Sequence, residues 1–467
     1  MYKITIGLEI HTQLLTNSKM FSGSKNEVSN MPNININEID LGMPGTMPSV
    51  NEQAVKLAVR LAKILDMEID PVLRFDRKNY FYQDLPKGYQ ITQQFYPIGK
   101  NGKIIVNNKN VHIERIHLEE DTAKQIHEGK EILLDYNRAG IPLIEIVTKP
   151  EIHNKEECIG FLTELKRILT FFEISDGKME NASLRVDLNI SISDTGKLGT
   201  KVEIKNINSF SAVTKAIDYE YDRQSKLLSK KLNIEQETRK WDESSQTTIT
   251  MRKKTGLIEY RYMTEPNILP VDIHKLIENE VIDSKKDPQQ IKSMLVSNSL
   301  NENIINQLLD DYQLFKIFMC ANKKVNDFNL TTTWIIIELI KILNDEQKKI
   351  ESVSQEIVNN IIEMMMMIKS NQINGKQAKT LIEQIYKTKQ NPKTLISKLG
   401  FEQITDKKNI RSLLIKIIND NIEMVNQNKD RRERVEKFIL GLLMKETKGQ
   451  ANPNIAKTLL DDLLNNK

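Results

Sequence analysis

The sequence is poor in cysteine. It contains two cysteines, Cys158 and Cys320, which lie far apart and lack a partner at the short spacing of a metal-binding pair. This excludes a disulfide scaffold and a cysteine-rich zinc site, and it indicates a reducing compartment. The longest apolar runs, at residues 334–337 and 364–368, are too short to span a membrane. We therefore expect a cytoplasmic protein without a membrane segment or a targeting peptide.

Glycine-rich nucleotide-binding loops are absent from the sequence as well. It has no G-x-x-x-x-G-K-[ST] motif, no set of kinase loops and no G-x-G-x-x-G motif after a predicted strand. It also lacks a nucleophile elbow and an amidase signature. If the protein binds a nucleotide, it must therefore do so with residues outside such loops. The net charge of +4 is too small to identify a partner by itself.

Four short stretches alternate apolar and polar residues with a period of two, which predicts a sheet with one buried and one open face. They are residues 4–11, 115–121, 142–147 and 185–192. In the first stretch, Glu9 and His11 project together from the polar face. A carboxylate beside an imidazole on a rigid strand is a candidate divalent-metal site, although a single acidic residue on a strand is more often only solvated. The later stretches add Glu119, Glu120, Glu145 and Asp187.

Residues 75–92 interleave aromatic rings with cations. The rings are Phe75, Tyr80, Phe81, Tyr82 and Tyr89, and the cations between them are Arg77, Lys78 and Lys87. Such a pattern can bind nucleotides or single-stranded nucleic acid through stacking and phosphate contacts. A β-hairpin with cross-strand aromatic pairs explains the pattern equally well. The sequence leaves both interpretations open.

The two halves of the chain differ in periodicity. Strands mixed with helices over residues 1–290 predict an α+β domain, in which Ser49 and Glu52 have the spacing of a capping box at a helix start. From about residue 288 onward nearly every segment has helical periodicity, and turns near residues 391 and 400 divide this half into two all-α domains. The predicted domains are residues 1–290, 291–395 and 396–467.

Basic residues are concentrated in the helical half. Residues 369–398 contain seven lysines and one acidic residue, Glu383. The candidate phosphate-binding residues of the last domain are Lys429, Arg431, Arg432 and Arg434. Cations of this kind suit the phosphate backbone of a nucleic acid. A solvated helix face, with ion pairs to Glu433 and Glu436, explains the composition nearly as well.

The longer motifs are more specific than any single residue. They are IGLEIHTQL, MPGTMPSVN, FDRKNYFYQDLPKGYQIT, RIHLEEDTAK, NRAGIPLIEIVTKP, SLRVDLNISI, GTKVEIKNINSF, ETRKWDE and KGQANP. Together they resemble the B subunits of the aspartyl/glutamyl-tRNA(Asn/Gln) amidotransferases. The resemblance extends over essentially the whole chain.

This resemblance implies an ATP-dependent reaction on misacylated tRNA. The family's B subunit phosphorylates the side-chain carboxylate of Glu-tRNA(Gln), Asp-tRNA(Asn) or both, and ammonia then displaces the phosphate. A separate amidase subunit supplies the ammonia, and a small third subunit joins the other two into a heterotrimer. Because ATP and a carboxylate repel each other, a divalent cation, expected to be Mg²⁺, is needed to bring them together.

The resemblance also implies an architecture, in which a cradle domain related to glutamine synthetase and guanidino kinases precedes the two helical domains. The basic residues of the last domain would then contact the tRNA body. An alternative function is a tRNA-binding scaffold whose acidic cluster is only structural. An archaeal-type paralogue is disfavoured because no large insertion interrupts the chain before its helical domains.

The resemblance assigns roles to individual residues. It implies metal ligands at His11, Glu120 and Glu145, with Glu9 and Asp187 nearby, and places Lys78 and Tyr80 beside the phosphorylation site. Simple alternation along the strand instead places Glu119, beside His117, on the polar face. We favour Glu120, which requires a β-bulge in this strand.

One departure from the family pattern concerns zinc. Many members hold a structural zinc ion with C-x-C and C-x-x-C pairs in the loop after the first strand. The corresponding positions here are Ser22, Ser24, Asn37 and Asp40. Hydroxyl, amide and carboxylate side chains in this combination do not form a tetrahedral zinc site. We therefore expect no structural zinc.

Overall fold

The computed structural model describes residues 2–253, 260–402, 404, 406–427, 431–447 and 449–465. The chain divides into two compact units, Met1–Ile291 and Lys292–Lys467. Strands occur in the first unit together with helices, whereas the described part of the second unit consists of helices and their connections. None of the helices within the described residues is long and apolar enough to cross a membrane.

A nine-stranded mixed sheet forms the centre of the first unit. The strands of this unit are β1 (Lys3–Gln13), β2 (Glu68–Ile69), β3 (Val72–Leu73), β4 (Asp76–Asn79), β5 (Tyr89–Thr92), β6 (Gly99–Val106), β7 (Lys109–Glu120), β8 (Lys124–Glu128), β9 (Glu131–Asp135), β10 (Pro142–Thr148), β11 (Leu184–Ser193), β12 (Val202–Ile207), β13 (Glu237–Asp242), β14 (Thr247–Lys253), β15 (Met263–Thr264) and β16 (Val271–Asp272). In the large sheet the order is β14-β13-β12-β11-β1-β10-β7-β6-β2. Neighbours are antiparallel except β12 and β13, which are parallel. The α+β class expected from the sequence agrees with this arrangement.

Alternation along β1 gives the sheet a buried face and an open face. Ile6, Leu8 and Ile10 are buried in the core, whereas Glu9 and His11 face the other side. Three helices add side chains to the same core: α1 (Glu52–Ile64), α2 (Lys155–Phe171) and α3 (Phe210–Ser229). Burying each large aliphatic side chain contributes about 1.5–3 kcal/mol, so packing of the helices fixes which face of the sheet stays open.

The first helix begins two residues later than its sequence signal predicts. Asn51 is the N-cap, and its side-chain oxygen accepts a hydrogen bond from the backbone N–H of Ala54 at 3.2 Å. The backbone N–H of Ser49 instead donates to the carbonyl oxygen of Phe21. The predicted capping box at Ser49 is therefore wrong, because a second capping-type residue lies closer to the apolar stripe of the helix.

A small hairpin formed by β4 and β5 lies against the end of β7. Residues Asp76 to Asn79 pair with Thr92 to Tyr89 in antiparallel register. The backbone N–H of Ile91 donates to the Glu120 carboxylate at 3.0 Å. The hairpin interpretation of this segment is thus confirmed, although Tyr89 lies beneath the guanidinium of Arg77, 4.0 Å from its ring centroid, rather than opposite another ring.

The remaining helices lie mostly in the second unit. They are α4 (His274–Asn279), α5 (Pro288–Ser297), α6 (Glu302–Asp310), α7 (Tyr312–Val325), α8 (Phe328–Thr331), a π-helix (Thr332–Leu339), α9 (Ile340–Asp345), α10 (Gln355–Lys369), α11 (Gly375–Thr388), α12 (Pro392–Leu399), α13 (Lys407–Asp420), α14 (Ile422–Gln427), α15 (Arg432–Glu446) and α16 (Pro453–Asn465), with 3₁₀ turns at Ser284–Lys286 and Ile350–Ser352. Residues 410–460 contribute to a separate apolar core among the last helices. The predicted division between residues 395 and 396 falls inside α12.

Candidate active site

Three adjacent strands bring the polar residues of the open face together. His11 on β1 is the cross-strand partner of Glu145 on β10, and Glu145 in turn is the partner of His117 on β7. Cross-strand partners project on the same face of a sheet with their Cβ atoms about 5 Å apart. Glu9 and Glu119 lie two residues from His11 and His117 and therefore share that face.

These five residues form one carboxylate–imidazole cluster. The Nε2 atom of His11 lies 3.3 Å from Glu145 Oε2, 3.4 Å from Glu119 Oε1 and 3.9 Å from Glu9 Oε1. The Nε2 atom of His117 lies 3.3 Å from Glu145 Oε2 and 3.7 Å from Glu119 Oε2. Glu145 is therefore common to both imidazoles.

Burial and crowding perturb the titration of the cluster. Burial lowers the pKa of His117, but the carboxylates of Glu145 and Glu119 outweigh it and raise this pKa to about 9. Burial would raise the pKa of Glu145, yet His117 and His11 hold this pKa well below its usual value. Burial, followed by the like charge of Glu145, raises the pKa of Glu9. The carboxylates are thus crowded enough to need positive charge among them.

The donor set fits a hard divalent cation. Two overlapping groups, Glu9 with His11 and Glu145, and His117 with Glu119 and Glu145, each have ligand atoms within 4.8 Å of one another. Oxygen-rich sites with one or two imidazoles suit Mg²⁺ or Mn²⁺, which also retain several water molecules. A cation there would offset the burial and the like charge of Glu145 that together raise the pKa of Glu9. The cluster therefore could hold such an ion without rearrangement of its strands.

The structure places Glu119, and not Glu120, in the cluster. Pairing of β7 with β10 runs without a register shift from Arg115 to Glu120, so the β-bulge that Glu120 would require is not present there. Instead Glu120 forms an ion pair with Lys87 and accepts a hydrogen bond from the backbone of Ile91. The expected β-bulge is therefore wrong, because simple alternation of the strand prevails and places Glu119 beside His11. A role of Glu120 as a metal ligand stays a prediction.

Lys78 and Tyr80 approach the cluster from the β4–β5 hairpin. Burial lowers the pKa of Lys78, but Glu119, Tyr262 and Glu145 outweigh it and raise this pKa. The Nζ atom lies 4.8 Å from the ring centroid of Tyr260 and 6.0 Å from that of Tyr80. Burial also raises the pKa of Tyr80. A permanently charged ammonium thus lies beside the carboxylates within a ring of tyrosines.

Asp187 lies on the opposite side of β1 from Glu145. It is the cross-strand partner of Glu9 and forms an ion pair with Lys205 at 2.5 Å. Lys205 was not predicted from the sequence, nor was Arg185, which is the partner of His11 and binds Asp121 at 3.0 Å. Arg185 lies in one of the four stretches that alternate, whereas Lys205 lies outside them. Sequence alone could not indicate that β11 would pair with β1 and β12 with β11.

The four positions that correspond to zinc ligands form a hydrogen-bonded network around a lysine. The Oγ atom of Ser22 donates to Asp40 Oδ1 at 2.7 Å, and the backbone N–H of Asn37 donates to Asp40 Oδ2 at 3.1 Å. The buried ammonium of Lys19 lies 3.3 Å from Asp40 Oδ2 and donates to the carbonyl oxygen of Tyr136. Ser24 donates its backbone N–H to Ser22 Oγ. The absence of structural zinc stays a prediction.

The basic residues of the last helices differ in their pairing. Arg432 forms an ion pair with Glu436 at 2.8 Å and donates to Asn465. Within the described residues of the second unit, no carboxylate pairs with the exposed Arg431 or Arg434. Lys429 and Lys448, the first residue of the KGQANP motif, lie outside the described residues. Arg431 and Arg434 are therefore among the available cations of this surface.

Both halves of the chain match known families. Residues 4–279 match the model described as GatB/GatE catalytic domain, and residues 316–464 match the model described as GatB domain. Curated relatives named as the B subunit of aspartyl/glutamyl-tRNA(Asn/Gln) amidotransferase cover nearly the full length. The relative from Ureaplasma urealyticum serovar 10 is 46% identical, over 99% of this chain and 99% of its own. Those from Malacoplasma penetrans and Mycoplasma capricolum are 46% and 43% identical, over 99% and 98% of this chain and 98% of each relative.

Proposed function

Because the chain belongs to the family of aspartyl/glutamyl-tRNA(Asn/Gln) amidotransferase B subunits, we propose that its carboxylate–imidazole cluster activates the side-chain carboxylate of a misacylated tRNA. Members of this family are components of a multi-subunit, tRNA-dependent amidotransferase, a ligase with glutamine as amido donor. The substrate here is Glu-tRNA(Gln), Asp-tRNA(Asn) or both. The partners are an amidase subunit, which releases ammonia, and the small third subunit of the heterotrimer.

The proposed reaction has two steps. A carboxylate oxygen of the aminoacyl side chain attacks the γ-phosphorus of ATP, and ADP leaves. Ammonia then attacks the carbonyl carbon of the acyl phosphate, phosphate leaves, and the nitrogen loses a proton. Phosphorylation is needed because a free carboxylate is a poor electrophile. The observation that supports this proposal is the cluster of cation-binding groups with the ammonium of Lys78 beside it.

Each residue of the site has a role in these steps. His11, Glu119 and Glu145 would hold Mg²⁺, with His117 within reach, and Mg²⁺ when bound supplies positive charge that lets ATP and a carboxylate approach each other. Lys78 neutralises charge on the phosphoryl group as it transfers, and Tyr80 lines the same side. Glu9 is the candidate proton acceptor, because burial and the like charge of Glu145 raise its pKa, whereas Asp187 forms an ion pair with Lys205.

The architecture implied by the resemblance forms part of the proposal. The first unit would be a cradle of the kind found in glutamine synthetase and guanidino kinases, and the second would contain a helical domain and a tail domain divided near residue 395. The alternative function is a tRNA-binding scaffold with a structural acidic cluster. It predicts that variants of the cluster keep full amidation activity.

Glu119→Gln is expected to lower ATP- and ammonia-dependent amidation by the reconstituted complex about 10²–10³-fold, because it removes one charged ligand without a change in volume. Glu120→Gln is the matched control, one residue away and outside the cluster. The affinity for Mn²⁺, measured by calorimetry, should fall in Glu119→Gln and stay within about twofold of wild type in Glu120→Gln. The reason is that the attraction of a cation for a carboxylate depends on their distance, and only Glu119 lies in the cluster. If Glu120→Gln lost amidation and Mn²⁺ affinity while Glu119→Gln kept both, Glu120 would be the ligand. Full amidation by both variants would favour the scaffold.

The tail is expected to contribute tRNA affinity without contributing to the chemistry. Replacing Arg431 and Arg434 by Gln should raise the KM for charged tRNA and lower the slope of log affinity against log salt by about one for each lost phosphate contact. Arg432→Gln is the control, because Arg432 is already paired with Glu436. If the double variant bound charged tRNA as tightly as wild type at every salt concentration, this role would be ruled out.

A further inference from the structure

A loop next to the candidate active site exposes two large aromatic rings. This loop, residues 80–88, joins β4 to β5, and the side chains of Phe81 and Tyr82 are 92% and 65% exposed. The function proposed above assigns Lys78 and Tyr80 to the chemistry but gives these two rings no role. An exposed pair of rings at the edge of a site is a typical binding surface rather than part of a core.

Hydrogen bonds hold the loop in one conformation. Across its base the backbone N–H of Tyr80 donates to the carbonyl oxygen of Gly88 at 3.3 Å, and within it Leu85 donates to Tyr82 at 3.1 Å. From outside the loop, the backbone N–H of Ala123 donates to the carbonyl oxygen of Asp84 at 2.9 Å. Since Ala123 lies three residues after the end of β7, the loop is attached close to the strand end that carries Glu119. The rings are thus presented in advance of binding, which lowers the entropic cost of a complex.

The Phe81 ring rests against the backbone of the loop itself. Gly88 has a φ of +74°, and a Cβ atom there would lie 3.2 Å from Cε1 of Phe81. The ring is therefore supported at this glycine while its remaining surface faces solvent. A flat, supported and solvent-exposed ring is suited to stacking on another flat π-system.

Further rings and a cation adjoin this loop. Tyr80, Tyr260, Tyr262 and Phe95 form a ladder of edge-to-face contacts, with successive centroids 6.0, 5.9 and 6.2 Å apart. Arg261 lies between the two tyrosines of this ladder, and its carbonyl oxygen accepts a hydrogen bond from the side chain of Asn79. Its side chain is exposed. Exposed rings beside an exposed guanidinium match the way proteins bind single-stranded nucleic acid, by base stacking and phosphate contact.

We propose that Phe81 and Tyr82 stack on the unpaired 3′-terminal nucleotides of the charged tRNA, and that Arg261 contacts a phosphate of the same single strand. This inference rests on the proposed function. The carboxylate that enters the cluster is joined through one amino acid to the terminal ribose, so the terminal bases must lie immediately beside the cluster. The loop of residues 80–88 occupies such a position and offers ring surface there.

Kinetics of the reconstituted complex test the stacking. Phe81→Leu and Tyr82→Leu are each expected to raise the KM for charged tRNA about tenfold, in line with the loss of one base–aromatic stack. The KM for ATP and kcat at saturating tRNA should stay unchanged. Phe81→Tyr and Tyr82→Phe keep a ring and should behave as wild type. Leu198→Ala, at a 66% exposed apolar residue between β11 and β12, is the control for loss of exposed apolar surface.

A binding measurement without ATP separates this inference from the proposed chemistry. Charged tRNA with 2-aminopurine at its terminal base should lose fluorescence on binding to wild type and to Phe81→Tyr, and retain it with the two leucine variants. Arg261→Gln should lower the salt slope of binding by about one. If the proposed function were wrong, wild type would fail to amidate in the presence of ATP while the quenching persisted.

Three results would overturn the stacking proposal. The first is an unchanged KM for charged tRNA and unchanged quenching in the leucine variants. The second is a raised KM for ATP instead, which would make the rings part of a nucleotide site. The third is loss of either partner protein, the amidase or the small third component, from complexes of the leucine variants in gel filtration, which would make the rings a protein-docking surface.

Discussion

Lys78→Met is expected to lower kcat for ATP-dependent amidation about 10³-fold, the loss typical when a positive group that faces a transferring phosphoryl is removed. Lys78 remains charged throughout the neutral pH range, because Glu119, Tyr262 and Glu145 raise its pKa in spite of its burial. No other ammonium within the described residues contacts the rings of Tyr80 and Tyr260. Single-turnover kinetics with saturating charged tRNA measure this step directly.

The same variant should bind a divalent cation more tightly than wild type. Removing Lys78 takes a positive charge away from Glu119 and Glu145, so the electrostatic attraction of the cluster for Mn²⁺ increases. Calorimetric titration with Mn²⁺ thus distinguishes a specific loss of phosphoryl transfer from a collapsed site, which would bind Mn²⁺ less well. If kcat of Lys78→Met stayed within about threefold of wild type, Lys78 would have no role in the mechanism, because a much larger loss is expected for a cation that faces the phosphoryl group.

Lys19→Met is expected to destabilise the first unit by about 3–5 kcal/mol, the usual cost when one partner of a buried ion pair is removed. The ammonium of Lys19 is fully buried and the Asp40 side chain is almost so. The variant leaves Asp40 charged beside Ser22 and Asn37 without a cation. Urea unfolding in a Trp334→Phe background measures this effect, since the remaining tryptophan, Trp241, lies in the first unit.

A double variant separates the charge effect from the packing effect. Lys19→Met combined with Asp40→Leu removes both charges, and well-packed apolar pairs often replace a buried ion pair at little cost. It should therefore regain most of the lost stability. If Lys19→Met alone unfolded at the wild-type urea concentration, the network would have no structural role in this loop.

Local periodicity predicted much of the site, and its failures occurred where other strands decide the outcome. The polar face of β1 follows from alternation alone, so Glu9 and His11 were identified correctly as neighbours. Alternation along β7 indicates Glu119 rather than Glu120 on the open face, and the unshifted register of β7 against β10 agrees with it. Lys205 was missed because its role depends on the pairing between β11 and β12, which no local pattern contains.

The segment of residues 75–92 combines a confirmed hairpin with a connecting loop for which nucleic-acid binding is proposed. Arg77 and Tyr89 belong to the strands of the hairpin. Phe81 and Tyr82 belong to its connecting loop, where no partner strand covers them. A sequence pattern does not distinguish a ring in a strand from a ring at a loop tip, since this distinction depends on where the turn begins.

The central position of β1 has a consequence for how the chain is made. This strand leaves the ribosome well before its two neighbours, β10 and β11, whose residues follow about 130 to 190 positions later. At a synthesis rate of about 5–20 residues per second, the strand waits roughly 10–40 s for its partners. During that interval its apolar side, Ile6, Leu8 and Ile10, has no cover. The carboxylate–imidazole cluster is consequently completed only once β10 has been made, and the centre of the sheet once β11 follows, with more than half of the chain still to be synthesised.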